Sequence, residues 1–574
     1  MPAPVRFRRL GSLALGASLV ASLAGTASAL NPDVEVTVGS PSTPFSQNKQ
    51  NEPWIAIDPM NPLVLASGAN DNIDMEACNA GNPATCPFTP GVGVSGISFS
   101  LDGGDNWVQP TYTGLTARHC LGPDPCVPAA GPIGTLPWYF ENGITSDGDP
   151  ALVFGPQPGA DGSFAWANGS RLYYANLTGS LSGARNEAFK GFEGIAVSRT
   201  DDAVAAAGGD QDAWMEPVLA SKQSSATFSD KEAITADQVE TSPHFGNVYI
   251  CNTDFRSVGG GPEPIRVITS KDGGDSWSTV QISEASNTGS GAGRSGGRQG
   301  CAVKTDSEGV VYVVWRGSFK GESVVWMSRS FNGGRQFDKP RVVGVTGTVG
   351  AFDPVQGRLT FDGVAGTRTN SSTSIDIANG APTGAGATDR IVIGFVDGTA
   401  GLNNEQAALR YSDDGGDTWS DPVHGSEAGD RPDFPWVAIS PDGDDVYLVY
   451  MGFLDPWRAS LAGTREMQGV VRHANGDLTG WTTLHRGAIG DARGSSANGL
   501  SSGFLGDYNF VVATNDVAAA VWNDVRDAAV CPAINAYRQS IVDGSPIAAP
   551  APAADCPATF GNTDIFGGTY PDPS

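Results

Sequence analysis

The sequence predicts an all-β fold built by repetition, and three observations carry that expectation. Four stretches spell variants of one phrase: residues 100–107 (SLDGGDNW), 270–277 (SKDGGDSW), 330–337 (SFNGGRQF) and 412–419 (SDDGGDTW). A phrase recurring at intervals through a chain signals repeated architecture. The composition, with 76 Gly, 39 Pro and only 17% charged residues, argues against a helical protein. Short Val/Ile/Tyr/Trp-rich runs bounded by Gly, Asp and Pro recur throughout, the pattern of strands punctuated by turns.

Each copy of the phrase comes after a short apolar run: 96–99, 265–268, 324–327 and 407–410. The residues suit a hairpin turn. The Asp or Asn side chain accepts from backbone amides ahead of it, the Gly pair tolerates positive φ, and the aromatic returns to the core. Asp102 and Trp107, Asp272 and Trp277, Asn332 and Phe337, and Asp414 and Trp419 are the structural pairs, the third being degenerate. Upstream halves, each an inner strand, a turn and a second strand, begin at Glu52, Asp149, Asp230, Arg298, Arg358, Arg431 and Gly506. Four of these seven modules end in the phrase, and module two is the least well formed. Insertions at 76–93, 109–146, 283–297 and 363–389 account for modules longer than four strands need.

The phrase resembles the Asp box, or BNR repeat, of sialidase-like proteins. That resemblance implies a β-propeller of four-stranded antiparallel blades, seven favoured over six, with the Asp box between the outer two strands of a blade. Residues 30–545 then form one propeller domain, preceded by 1–29 and succeeded by a Pro/Ala-rich tail, 546–574, that Cys531 and Cys556 could tie down.

Residues 1–29 read as a signal peptide: Arg6, Arg8 and Arg9, an apolar stretch from Leu10 to Leu23, and Ala27-Ser28-Ala29 at a cleavage site. The expectation is a secreted, extracellular protein with no membrane span after cleavage, acting as a monomer. Without those three Arg the balance is 32 basic against 62 acidic residues, or −30. Such a charge disfavours nucleic acid, whose binding needs phosphate neutralisation by Lys and Arg. Eight Cys fit an oxidising compartment, with local pairs Cys78–Cys86, Cys120–Cys126, Cys251–Cys301 and Cys531–Cys556. His119, His244, His424, His473 and His485 show no metal spacing, so no metal or cofactor is expected. Structural calcium at the Asp-rich turns 71–74 or 442–445 is the exception, through oxygen ligands.

In a propeller, residues just before inner strands and just after second strands converge on one face of the axis. The starts supply Glu52, Asp149, Asp230, Glu232, Arg298, Arg358, Arg431, Asp433, Asp507 and Tyr508. The ends supply Asp71, Asp254, Arg256, Arg316, Asp397, Asp455, Asp524 and Arg526. Arg grips a carboxylate bidentately while Asp or Glu does acid/base work, so the mixture suits an acidic sugar.

Over nearly its whole mature length the chain resembles the sialidase superfamily. Phrases at 230–237, 246–255 and 506–526 are similar to those of secreted bacterial sialidase-like proteins of inferred activity. The resemblance implies a glycoside hydrolase with an arginine triad, a Tyr nucleophile activated by a Glu, and an Asp as acid/base. Carried over, Tyr508 is the nucleophile, Glu52 or Glu232 the activating Glu and Asp71 the acid, with Arg298, Arg316, Arg526 and Arg431 binding substrate. The family's first-blade F/Y-R-I-P phrase is replaced here by Asn51-Glu52-Pro53-Trp54, which lacks the Arg. The expected function is an exo-acting hydrolase of an extracellular glycan. The alternatives are a non-catalytic carbohydrate- or protein-binding propeller and a propeller polysaccharide lyase.

Overall fold

Seven antiparallel sheets succeed one another along the chain and close into a ring. The computed structural model describes residues 32–41, 43–45, 49–77, 89–181, 193–222, 228–255, 263–284, 299–364, 366–369, 373–497 and 500–573. The expected signal peptide, the Cys78–Cys86 pair, Arg256 and Arg298 lie outside the described residues.

Blade 1 has three strands, Gln50–Ile57, Leu65–Asp71 and Ser95–Ser100, with Val108 bridging back to Phe99. Blade 2 runs through Ile144–Pro156, Ser170–Ser180, Glu193–Thr200 and Trp214–Lys222. Blades 3 and 4 have inner strands Phe228–Ala236 and Gln299–Thr305, and blades 5, 6 and 7 have Ser374–Ile377, Arg431–Ile439 and Phe510–Ala513. Blade 2, read from sequence as the least formed, is a complete four-stranded sheet. Its hydrophobic positions carry strands longer than the turn signals suggested.

Blade 7 corrects the expected domain limits. Its third strand is Asp564–Pro571, from the segment expected to be a tail outside the propeller, and its fourth is Val34–Glu35 from the other end of the chain. Val34 pairs with Gly567 and Glu35 with Phe566. Both ends of the chain thus meet in one sheet, and pairing the last blade this way leaves the ring no open seam. The helix Pro532–Val542 lies within the excursion between the second and third strands, where Cys531 bonds to Cys556. Arg358 also falls elsewhere than expected. It sits in a two-stranded hairpin, Ala351–Asp353 with Arg358–Thr360, and the inner strand of blade 5 begins sixteen residues later at Ser374.

The four repeated turns adopt one geometry at the ends of third strands. The Ser hydroxyl accepts from the second Gly amide at 2.9, 2.9, 3.0 and 2.8 Å at Gly104, Gly274, Gly334 and Gly416. The Asp or Asn side-chain oxygen accepts from the amide four residues on, at Asn106, Ser276, Gln336 and Thr418. Asn332 does this as well as an Asp does, which is why the degenerate copy keeps the shape. Both glycines of each pair have positive φ, between 66° and 96°.

The turns also join blades. A Cβ on Gly104 would lie 2.9 Å from Thr569 of blade 7, and one on Gly274 would lie 2.6 Å from Arg199 of blade 2. One on Gly334 would meet Thr269 of blade 3 at 2.6 Å, and one on Gly416 would meet Met327 of blade 4 at 2.4 Å. The first glycine's carbonyl accepts from the same neighbours: Thr569 to Gly103 (2.8 Å), Arg171 to Gly273 (2.9 Å) and Arg329 to Gly415 (2.6 Å). A fifth turn that the sequence hid repeats this, with Arg390 of blade 5 donating to Gly476 of blade 6 at 2.7 Å. Covalent ties add to these contacts: Cys251–Cys301 bridges blade 3 to the inner strand of blade 4, and Cys120–Cys126 pins the insertion after blade 1.

The joints have measurable consequences for stability. Gly274→Ala puts a methyl group into Arg199 and Tyr173 at a φ of +90°, whereas Gly321→Ala at φ +89° meets nothing within 4 Å. Urea unfolding should show Gly274→Ala about 1–3 kcal/mol less stable than Gly321→Ala; equal losses would mean the turn does not join blades. Replacing both Cys251 and Cys301 by Ser frees a 50-residue separation and should cost about 4 kcal/mol by loop-closure entropy, read as a lower urea midpoint.

Candidate functional site at the axis

Inner strands of five blades carry the same irregularity near their first residues. The pairing register slips after Asn51, Gly148, Asp230, Gln299 and Asp433. At each slip one residue takes positive φ: Glu52 (55°), Asp149 (52°), Lys231 (56°), Gly300 (62°) and Phe434 (51°). A bulge with a left-handed residue breaks the alternation of side chains and re-aims them. Four of the five are not glycine, so the surrounding structure holds strained backbone there, a feature that gathers at functional sites.

Below the bulges the axis is filled by aromatics. Trp54 stacks on Phe510 at 3.8 Å between centroids, and Trp436 lies 4.7 Å from Phe510 and 5.3 Å from Trp54. Tyr508 stands edge-on to Trp54 at 6.3 Å, at the boundary between this plug and a charged well.

Lys231 is the centre of the well. Its ammonium lies 2.7 Å from Asp507, 3.2 Å from Glu52, 3.3 Å from Asp149 and 3.6 Å from Asp230. It also sits 5.8 Å from the centroid of the Tyr508 ring. Arg368 adds a second cation, 2.7 Å from the Asp507 carboxylate. Asn70 donates to Glu52 at 2.5 Å and accepts from the Asp149 amide at 2.6 Å, locking two adjacent blades together. The side chains of Lys231, Glu52 and Asp507 are 4%, 1% and 1% exposed, while Asp230 is 16% and Arg368 35% exposed. Asp230 and Arg368 are therefore the groups a solute meets first.

Four carboxyls share two cations, so they cannot all ionise cheaply in a buried site. Burial, then the Asp149 charge beside it, raises Glu52 well above the usual carboxylate range. Burial also raises Asp149, but the Lys231 ammonium and hydrogen bonds from Glu52 and Asp230 outweigh it and hold Asp149 at about 2. Asp230 is raised to about 7 by burial, Lys231 opposing and Asp149 reinforcing. Asp149 is thus the ionised partner, with Glu52 and Asp230 as proton donors to it. Lys231 keeps its proton: burial opposes the charge, but Asp149, Asp507, Glu52 and Asp230 together raise it well above an ordinary lysine. Tyr508 is raised by burial and by the Asp149, Glu52 and Glu232 charges. Neither the Tyr508 hydroxyl nor either Glu232 carboxyl oxygen has a hydrogen-bond partner among the described residues, although both side chains are buried.

The expected site residues divide. The structure brings Tyr508 and Glu52 to the axis with Asp149, Asp230, Glu232 and Asp507. Asp71 lies apart from the Lys231 contacts, accepting from Gln109 (2.5 Å), Gln50 (3.1 Å) and the Ile73 amide (3.1 Å); burial raises it to about 7. Arg431 is clamped by Glu405 (3.0 Å), donates to the Phe361 and Asp455 carbonyls, and covers the Phe361 ring. Arg526 is bound by Asp33 and Asp524 and stacks over Phe566. Arg431 thus ties blade 6 to Glu405 of blade 5 and Arg526 ties strands within blade 7, and the expected ring of arginines at the axis is not assembled from them. Arg316 is buried, donating to Ser323 (2.5 Å) and Thr346 (3.0 Å), and burial lowers it to about 10 against the pull of Asp433.

Two residues were missed. Alternation in a regular strand puts Asp230 and Glu232 on one face and Lys231 on the other, so only the bulge reveals the Lys. Arg368 belongs to the excursion that precedes blade 5, a stretch low in large apolar residues. Its guanidinium lies 4.5 Å from the Phe504 ring centroid, and Lys49 lies 5.9 Å from the same ring. Arg358, also on that excursion, is lowered by burial and by the neighbouring Arg368 charge. A local basic rim therefore overlies an acidic well in a chain of strongly negative charge. The Asp-rich turn at 71–74 spends its oxygens on internal hydrogen bonds, Asp74 accepting from Gly134 at 2.9 Å.

No protein-family model and no curated protein sequence matches the chain. Solved structures that resemble it include sialidases and related propeller glycosidases. A Hadza microbial sialidase aligns at 13% identity and a TM-score of 0.37 over 70% of this chain and 63% of its own. The intramolecular trans-sialidase of Ruminococcus gnavus aligns at 11% and 0.38, over 74% and 94%. The alpha-L-arabinofuranosidase of Fusarium graminearum aligns at 13% and 0.32, over 60% and 93%.

Proposed function

We propose that the protein is a secreted, sialidase-like glycoside hydrolase that removes a terminal, acidic sugar from an extracellular glycan at the axial well. The observation that carries this reading is the pairing of Asp230 and Asp149. They come from neighbouring blades to one ammonium, 3.6 and 3.3 Å from Lys231 Nζ, which keeps Asp149 ionised while burial raises Asp230 toward neutrality. Environments that push two carboxyls apart assign the acid and the base.

In the proposed mechanism Arg368, with Arg358 beside it, holds the anionic group of the sugar. Asp230 gives its proton to the glycosidic oxygen as the bond to the leaving group breaks. The Asp149 carboxylate, fixed by Lys231, returns a proton path to Asp230 afterwards. Asp149 and Asp230 are hydrogen-bonded, closer than the ~5 Å that separates an acid from a carboxylate nucleophile. The nucleophile is therefore sought elsewhere, and Tyr508 fits: its hydroxyl has no partner among the described residues, and the Glu232 carboxyl, equally without one there, is electrostatically coupled to it. A neutral phenol suits a well already crowded with negative charge; as its oxygen bonds to the anomeric carbon its proton passes to Asp149, the ionised carboxylate of the well, and water then releases the sugar from the phenolic oxygen.

A non-catalytic binding propeller is the second reading, favoured by the near-complete burial of Lys231, Glu52 and Asp507, which would serve equally as an ionic hub. Incubating the mature protein with a fluorogenic sialoside and an acidic-glycan panel separates the readings. Hydrolysis yields a saturated sugar, a lyase yields an ultraviolet-absorbing unsaturated product, and retained binding without turnover supports the binder.

If hydrolysis is observed, kcat/KM should fall as pH rises through about 7, because Asp230 must be protonated to act and loses its proton there. Asp230→Asn should cost about 10²–10⁴-fold and abolish that limb. Tyr508→Phe should be at least as damaging; unchanged turnover in Tyr508→Phe would assign the attack to another group.

A further inference from the structure

Away from the axial well, at the end of blade 6 where its inner and second strands are joined, an imidazole and two carboxylates from three strands converge. Asp445 opens the second strand, His473 lies in the third, and Asp572 comes directly after the third strand of blade 7. One donor atom from each, an imidazole nitrogen and two carboxylate oxygens, lies within 4.8 Å of the others. His473 Nε2 is already 2.6 Å from Asp445 Oδ1. Asp445 and His473 are buried, 4% and 6% exposed.

We propose that these three residues bind one divalent transition-metal ion, with Zn²⁺ as the best fit, and that the ion clasps blade 6 to the C-terminal end of blade 7. The donor chemistry supports this. One imidazole and two carboxylates form a nitrogen/oxygen set suited to Zn²⁺, whereas Ca²⁺ takes six or more oxygens. The turn at 442–445, read from sequence as a calcium candidate, falls short of that number: Asp442 Oδ1 is occupied by Ser440 (2.6 Å) and the Asp444 amide (3.2 Å).

The Tyr447 ring packs 5.2 Å from the His473 ring. Ligand bonds of about 2.0–2.2 Å set tetrahedral donor atoms about 3.4 Å apart. The His473–Asp445 contact, 2.6 Å without the ion, widens to that spacing as the metal replaces the hydrogen bond, Asp572 completes the set from the end of the last strand, and water fills the remaining position.

The test uses the full mature protein, stripped with a chelator and dialysed. Titration calorimetry with Zn²⁺ and metal analysis after desalting should show one ion per chain, and the thermal midpoint should rise with added Zn²⁺ because the ion binds the folded state. His473→Gln and Asp572→Asn should each weaken binding at least 10-fold. Asp572→Asn changes a half-exposed position, so its fold is checked by an unchanged metal-free melting curve. One-to-one binding that survives both substitutions would place the ion elsewhere and overturn the proposal, as would the absence of stoichiometric binding. Both results are independent of any glycosidase activity.

Discussion

Blades of this protein meet through a turn whose glycines let one sheet press against the next. No backbone ladder joins one blade's strands to its neighbour's, so the ring depends on how closely packed faces and edges approach and on side-chain bonds such as that from Trp54 to the Leu152 carbonyl. Four turns place a glycine where a single extra carbon would lie within 2.4–2.9 Å of the preceding blade. The carbonyl beside it then accepts from that blade in three of those turns, and again at Gly476. A buried carbonyl left without a donor costs about 1–3 kcal/mol, so each contact must be made or the joint is weakened. The arrangement explains why the phrase keeps both glycines in its degenerate copy while its Asp becomes Asn and its Trp becomes Phe.

Closing the ring determines what the axis can hold. With Trp54, Trp436 and Phe510 packed together below them, the bulged inner-strand starts of blades 1, 2 and 3 gather around Lys231. Carboxyls arriving there from blades 1, 2, 3 and 7 can coexist only by sharing protons and surrounding Lys231 and Arg368. The spread of proton affinities across the well is thus a consequence of crowding. The Lys231 ammonium and hydrogen bonds from Glu52 and Asp230 hold Asp149 ionised, and burial, reinforced by the Asp149 charge, raises Asp230 toward neutrality.

Much of the fold was legible from local chemistry. Paired glycines flanked by Ser, Asp and Trp specify a turn by φ preference and side-chain capping, both of which act within a few residues. The seven inner and second strands were legible for the same reason, except in blade 5, where Arg358 opens an accessory hairpin. Less of the site could be read. Tyr508, Glu52, Asp149, Asp230 and Asp507 were placed at the axis by their position at strand starts. Arg431 and Arg526 occupy comparable positions in the chain but turn to Glu405 and to Asp33, partners distant enough in sequence that no motif links them.

Residue order alone accounts for the repeated turns, the seven modules and the inward set of carboxyls, because these arise from backbone preference and strand order. The closed ring was needed to bring the chain's two ends into one blade, to turn Lys231 toward the axis, and to let Arg368 reach it from an excursion. Each of these depends on a long-range contact: a strand pairing between residues 34–35 and 566–567, a bulge that reverses side-chain alternation, and an ion pair spanning 139 positions. Local propensity carries no information about such pairings, since their free energy appears only once the ring has closed.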